Sequence, residues 1–223
     1  MDIFIKTYKA ITKSAFKELG FKICKNNYYR IINDVFQSCS LHRSIGGNNA
    51  TIEFVVLPLT NGYLITKDTC GTDHIKNFFD NYSWYEYERN KNDMQRAISD
   101  MLEDVEKYLF PFFEEMNSCK SIYNEIKSGN MKFISEDAKL SVALMMGDYA
   151  MAEECMKNRI EQSECAYKRN MECGLGEEYA AKMEKIITEE KTFLKKVREK
   201  DDAFFQCRLS ENQKNNMQAF KRI

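Results

Sequence analysis

Tyr28 and Arg30, then Ser38, Ser40 and His42, then Thr51 and Glu53 recur at every second position of three successive runs rich in β-branched and aromatic residues. In an extended chain every second side chain points to the same side. If Tyr29, Ile31, Cys39, Leu41, Ile52, Phe54 and Val56 form the covered face of a sheet, these polar residues form the other. That face has two readings. In one it is a shallow anion site, where the Arg30 guanidinium clamps a carboxylate or phosphate and His42 and the serines hydrogen-bond to it. In the other it is a solvated surface crossed by an Arg30–Glu53 pair, as one face of an antiparallel sheet often is. The binding residues proposed on this basis are Tyr28, Arg30, Ser38, Ser40, His42 and Glu53.

Other residues capable of chemistry lack the spacing it needs. The eight cysteines, at 24, 39, 70, 119, 155, 165, 173 and 207, contain no pair separated by two residues. Zinc-ribbon and thioredoxin patterns are therefore absent, and the thiols read as reduced, small hydrophobes. Cys39 and His42 stand at odd and even positions of one strand, so they point apart and form no nucleophilic dyad. Glu86 and Glu88 would share a strand face, but paired carboxylates without an enclosing pocket are ordinarily solvated. Gly174-Leu175-Gly176 opens like a dinucleotide fingerprint, yet it lacks the third glycine and follows a helix. No catalytic residue, metal ligand or cofactor is assigned, and the expectation leans away from an enzyme.

The elements that must hold these residues follow from periodicity. Phe4, Tyr8, Ile11, Ala15 and Leu19, with Phe16 beside them, repeat at helical steps, and Gly20 supplies the stop. Tyr28 to Ile32, Val35 to His42 and Thr51 to Leu57 then read as strands, joined by short turns at Asn33-Asp34 and residues 46–49. Such links allow hairpins and exclude helical crossovers. Shorter strands are expected at Tyr63–Thr66 and within Tyr82–Tyr87. From Asp93 a wide apolar helical stripe runs to Met116, with a kink predicted before Pro111. Helices follow at 119–128, 135–146, 149–170 and 176–200. Residues 202–223 read as a polar tail that frays.

Composition sets the outer limits. The 223 residues are 43% hydrophobic and 30% charged, with 2 Pro and 9 Gly, which argues for long helices and against wholesale disorder. Lys and Arg total 33 against 34 Asp and Glu, so neither nucleic acid nor an anionic membrane is electrostatically favoured. Tyr28, Tyr29 and Arg30 offer the least favoured reading, an aromatic–basic surface for nucleic acid. The first residues carry no apolar stretch of signal-peptide length, so the expected location is cytoplasmic.

Two features point toward partners. Leu144-x-x-Gly147-x-Tyr149-x-x-Ala152 is similar to the turn between the helices of a tetratricopeptide repeat, here present once, and Met145, Met146, Met151 and Met156 around it could line an adaptable groove. Residues 176–201 are charged at 14 of 26 positions, with Tyr179, Met183, Ile186, Phe193 and Val197 in one seam that Glu190 interrupts. This helix is expected either to fold back on 149–170 or to form an antiparallel dimer.

Leu19-Gly20-Phe21-Lys22, Asn27-Tyr28-Tyr29-Arg30 and Val35-Phe36-Gln37-Ser38, with Leu109-Phe110-Pro111-Phe112-Phe113 and Gly147-Asp148-Tyr149 before Ala152, resemble the uncharacterised bacterial domain-of-unknown-function family four-three-zero-four. The resemblance covers most of residues 5–170. It implies an α+β domain with a helical extension and no established activity, so it transfers no catalytic residue. The expected fold is α+β: an N-terminal helix on a four- to five-stranded antiparallel sheet over 1–118, a helical extension over 119–201, and the tail at 202–223. The expected function is non-enzymatic binding of another protein, of antitoxin or immunity type; the alternative is a small-molecule binding protein or enzyme using the sheet face around Arg30.

Overall fold

Apolar residues at helical spacing form α1 (Ile3–Glu18), whose Phe4, Tyr8, Thr12 and Phe16 are buried. Gly20 takes the left-handed conformation at φ +79, which lets Phe21 N–H return to Phe16 O at 3.0 Å. The computed structural model describes residues 3–46, 48–62, 65, 69, 73–79, 84–88, 90–129, 134–174 and 176–221. Of the short strand expected at Tyr63–Thr66 only Ile65 is among them.

An antiparallel meander follows: β1 (Lys22–Cys24), β2 (Asn27–Ile32), β3 (Val35–Arg43) and β4 (Asn49–Pro58). Two-residue strands β5 (Asp73–His74) and β6 (Tyr85–Glu86) both pair with β4, making six strands among the described residues. The fold is thus α+β with an antiparallel sheet, as expected, while β1 and β5 went unforeseen because they are too short to show a period.

The register corrects the expected faces. Two-residue turns at Lys25-Asn26 and Asn33-Asp34, each opening on a left-handed residue at φ 52, join β1 to β2 and β2 to β3. Tyr28 therefore pairs with Cys39 and Arg30 with Gln37. Tyr28 and Arg30 thus share a face with Cys39, Leu41, Ile52, Phe54 and Val56, under α1. Tyr29 and Ile31, expected on the covered face, lie on the opposite one with Ser38 and Phe36.

Both faces of the sheet are covered. On the α1 side, α2 (Lys91–Asp104) and α3 (Phe110–Glu115) complete the main core with Ile98, Met101, Leu109 and Phe113. Where a kink is predicted before Pro111, the helix widens into a π-helical turn at Val105–Leu109, next to the residue that supplies no backbone donor. On the other side, Phe36 and Leu57 pack with Leu59, Ile65, Ala138 and Phe220.

The rest is helical: α4 (Cys119–Ser128), α5 (Glu136–Met145), α6 (Tyr149–Glu172), α7 (Glu177–Glu199) and α8 (Asp202–Lys221). Gly147 at φ +68 and the Asp148 cap, which accepts from Met151 N–H, form the predicted tight turn between α5 and α6. Helix α7 folds back antiparallel on α6, with Tyr167 bonded to Glu184, Lys191 to Glu164 and Arg198 to Glu153. Val197 of its seam is buried within the same chain, as is Leu194 next to it, with Phe193 partly buried there. The segment expected to fray is instead α8, which buries Phe205 and Leu209 against this hairpin and stacks Phe220 on Tyr29. Its mean polarity concealed a narrow apolar stripe that has two surfaces to cover.

Candidate functional site

Arg30 is 7% exposed and bonded through all three of its guanidinium nitrogens. Its Nε donates to Gln37 Oε1 at 2.7 Å, Nη1 to Leu19 O at 2.7 Å and Nη2 to Glu114 Oε1 at 2.6 Å, while its guanidinium lies 4.7 Å from the Phe21 ring centre. It ties the end of α1 to the sheet and to α3, so no clamp remains for an anion. Tyr28 is likewise internal, stacked on Phe16 and bonded to Thr12 Oγ1 at 2.9 Å. Neither residue belongs to an open site.

Ser38, Ser40, His42, Thr51 and Glu53 do share the opposite face. Ser38 is buried and donates to Thr69 O, and Ser40 and Thr51 are buried too, so the face is not solvated there. At its far end His42 Nδ1 lies 3.0 Å from Glu53 Oε1, and His74 Nε2 is 4.0 Å from the same oxygen. Trp84 packs beside both imidazoles. The chain's two histidines thus converge on Glu53, with its one tryptophan beside them. This shelf is half open, with His42 48% exposed, and no group of described residues is arranged to hold a metal ion.

A half-open cavity lies elsewhere. A cavity of about 600 Å³ opens among α5, α6, α7, α8 and the turn that follows β4. Leu140, Leu144, Met156, Phe193 and Phe205 give it apolar walls. Of the four methionines near the α5–α6 turn, Met156 is the one among its lining residues.

The turn is held from two sides. Asn216 on α8 donates to Leu59 O at 2.8 Å and Asn61 O at 3.2 Å, and accepts from Ile65 N–H at 2.7 Å. Asn212 donates to Thr60 O, and the Thr60 and Ser141 hydroxyls are bonded at 2.7 Å. Backbone demands thus fix the turn while the Asn61 side chain is left free. Asn61 is 1% exposed, lines the cavity, and neither its Nδ2 nor its Oδ1 has a partner.

On another wall, Arg159 reaches from α6 to Asp137 on α5 and donates through Nε to Glu190 Oε1 at 2.7 Å. Glu190 is 7% exposed, and its Oε2 has no partner. Three buried polar atoms on residues that line this cavity are therefore without a protein partner, as are the buried hydroxyls of Tyr8 and Thr51 elsewhere. Buried groups of this kind are scarce in folded proteins, because each forfeits its bonds to water.

No family model, curated protein or solved structure matches this chain. The site rests on its own geometry. Burial raises the Cys39 and Cys119 thiols and pushes Cys155 up to about 12, with Glu136 adding to the last, so none is a thiolate near neutral pH. Cys39 and His42 face opposite sides of β3, and Glu86 and Glu88 are exposed. No described helix is long and apolar enough to cross a membrane.

Glu190 had one signal in the sequence: it breaks the apolar seam of its helix. Asn61 had none beyond belonging to an Asn-Gly turn, and Arg159 and Asp137 sit among many similar charges.

Proposed function

We propose that this protein binds a small polar organic molecule in the cavity between the α5–α8 helices and the turn carrying Asn61. The reading rests on one observation: Asn61 and Glu190, both more than nine-tenths buried, stand among the residues lining one largely apolar-walled cavity and carry three polar atoms without a protein partner. Such a space, with a few convergent polar groups, is the usual form of a ligand site. The small-molecule alternative drawn from the sequence is retained in kind and moved from the Arg30 face to this cavity. The family resemblance adds no activity to it. Binding of a protein partner has weaker support, because the exposed large apolar residues Ile3, Ile23, Ile45, Met146 and Met171 lie on separate elements.

The test is a metabolite screen by thermal shift, followed by calorimetry on the wild type, Asn61→Ala and Glu190→Gln. A ligand at about 100 times its Kd adds about 2.7 kcal/mol of stability, several degrees in Tm. A one-to-one ligand that loses at least tenfold in affinity in both variants supports the proposal. Ligands indifferent to both substitutions, or none from a broad screen, overturn it.

A further inference from the structure

Basic and acidic residues balance over the whole chain, but they are not evenly laid out on its surface. Helix α1 places Lys6, Lys9, Lys13 and Lys17 at steps of three, four and four, so they stand in one row. Its buried residues Phe4, Tyr8, Thr12 and Phe16 take the other side, and the row faces outward. Lys6, Lys13 and Lys17 are exposed and Lys9 is half-buried. The helix has one acid, Glu18 at its last position, and neighbours one step apart do not face each other. None of the four lysines has an ion pair with a described residue. Exposed lysines on other helices are treated differently. Lys157 in α6 and Lys185 and Lys195 in α7 each have a glutamate one turn away, at 3.0, 3.9 and 3.8 Å. Like charges one turn apart repel, and Lys6 also stands in the first turn, at the positive end of the helix dipole. The row is thus unfavourable to the chain alone and is relieved by anions from outside.

We infer that the outward face of α1 binds the phosphate backbone of a nucleic acid. At about 1.5 Å per residue the row is about 16 Å long. Phosphates succeed one another at about 3.4 Å of axis along each strand of a duplex, so the row runs beside about five of them. Contact of this kind needs spaced cations and no base-reading side chain. The small residues Ala10 and Ser14 are the exposed ones beside the row, and they leave the backbone room to approach. A protein partner fits less well, because interfaces are rich in aromatic residues and methionine and poor in lysine. The one exposed large apolar residue of α1 is Ile3, at its very start. Stable attachment to a membrane needs an apolar insertion or a lipid beside the basic patch, and the apolar side of α1 is spent in the core. The aromatic–basic run from Tyr28 to Arg30 takes no part, since Tyr28 and Arg30 are buried.

The test is fluorescence anisotropy of the full-length protein with a short mixed-sequence DNA duplex and with its single strand, between about 50 and 200 mM salt. Saturable binding is expected at the low end. On logarithmic axes the affinity should fall with salt at a slope of about −3.5 for the duplex, or about −3 for the single strand, as four phosphate contacts require. The steeper and tighter of the two identifies the form bound. The double substitution Lys9→Gln and Lys13→Gln should lose at least tenfold in affinity at low salt and flatten the slope by about 2. If that variant fails to fold, Lys6→Gln with Lys17→Gln serves in its place with the same expected loss. Lys185→Gln with Lys195→Gln, which removes the same charge from lysines already answered by glutamate, should change neither affinity nor slope. No saturable binding at about 50 mM salt overturns the proposal. So does an equal loss in the α7 variant, which would make the attraction one of total charge and not of the row. Vesicles containing phosphatidylserine, bound more tightly than either nucleic acid and released by the α1 substitutions, would overturn it in favour of a membrane surface.

Discussion

Arg30 and Glu190 are charged residues with the same 7% exposure, and their surroundings treat them oppositely. Each of the three Arg30 nitrogens donates one hydrogen bond, to three different elements of the chain. Glu190 has one oxygen held by Arg159 and one held by nothing. A buried charge held at each of its nitrogens locks a fold, since breaking any of those bonds strands a desolvated partner. A buried charge answered by half has been brought out of water without full compensation. The first belongs to the architecture, and the second is where a molecule from outside can be recognised.

This contrast gives graded expectations. Arg30→Met should lower stability in urea by about 3 kcal/mol, because Leu19 O and Gln37 Oε1 lose their charged donor inside the core. A loss below about 1 kcal/mol would show that Arg30 is no lock. Asn216→Ala should cost about 2 kcal/mol, since it strands Ile65 N–H and the carbonyls of Leu59 and Asn61. It should also weaken any cavity ligand, because the turn bearing Asn61 loses its anchor; unchanged affinity would detach the turn from the site.

Asp148→Ala should cost about 1 kcal/mol at pH 7 through loss of the α6 cap. The Met151 N–H bonded to it, followed by Lys127 and the Tyr123 hydroxyl, holds the Asp148 carboxyl below the usual carboxylate range. A depressed carboxyl contributes stability above its unfolded pKa of about 4, and that contribution fades as pH falls through the folded value. The gap between wild type and variant, read from Tm, should therefore close below pH 4. A gap constant down to pH 2.5 would contradict this.

Glu190→Gln should change the ligand-free protein least, by under about 1 kcal/mol, because half of its bonding capacity is unused. A loss comparable to that of Arg30→Met would make Glu190 a second lock and erase the distinction.

The two residues also differ in how far they could be read in advance. The Arg30 environment was written in a turn length: with only Asn33 and Asp34 between strands, Tyr28 must face Cys39 and Arg30 must face Gln37. Sorting the strands by polarity placed Arg30 outside, since residue type was given more weight than turn geometry. The helix stripe of Phe4, Tyr8 and Phe16, the three long strands, the Gly147-Asp148 turn and the boundaries of α4 to α7 were visible. Each depends on neighbours within a few residues, where period and turn chemistry act directly.

The cavity had no such local cause. Asn61 and Glu190 come to line one cavity because α7 folds back on α6, and because α8, whose polar composition suggested a loose tail, carries Asn216 to the turn after β4 and Phe220 to the sheet. Composition and periodicity determined which segments are helix or strand and how adjacent ones turn. Only the packing of distant elements decided which polar atoms are deprived of both water and a partner, because that shortage is a property of the space they enclose together.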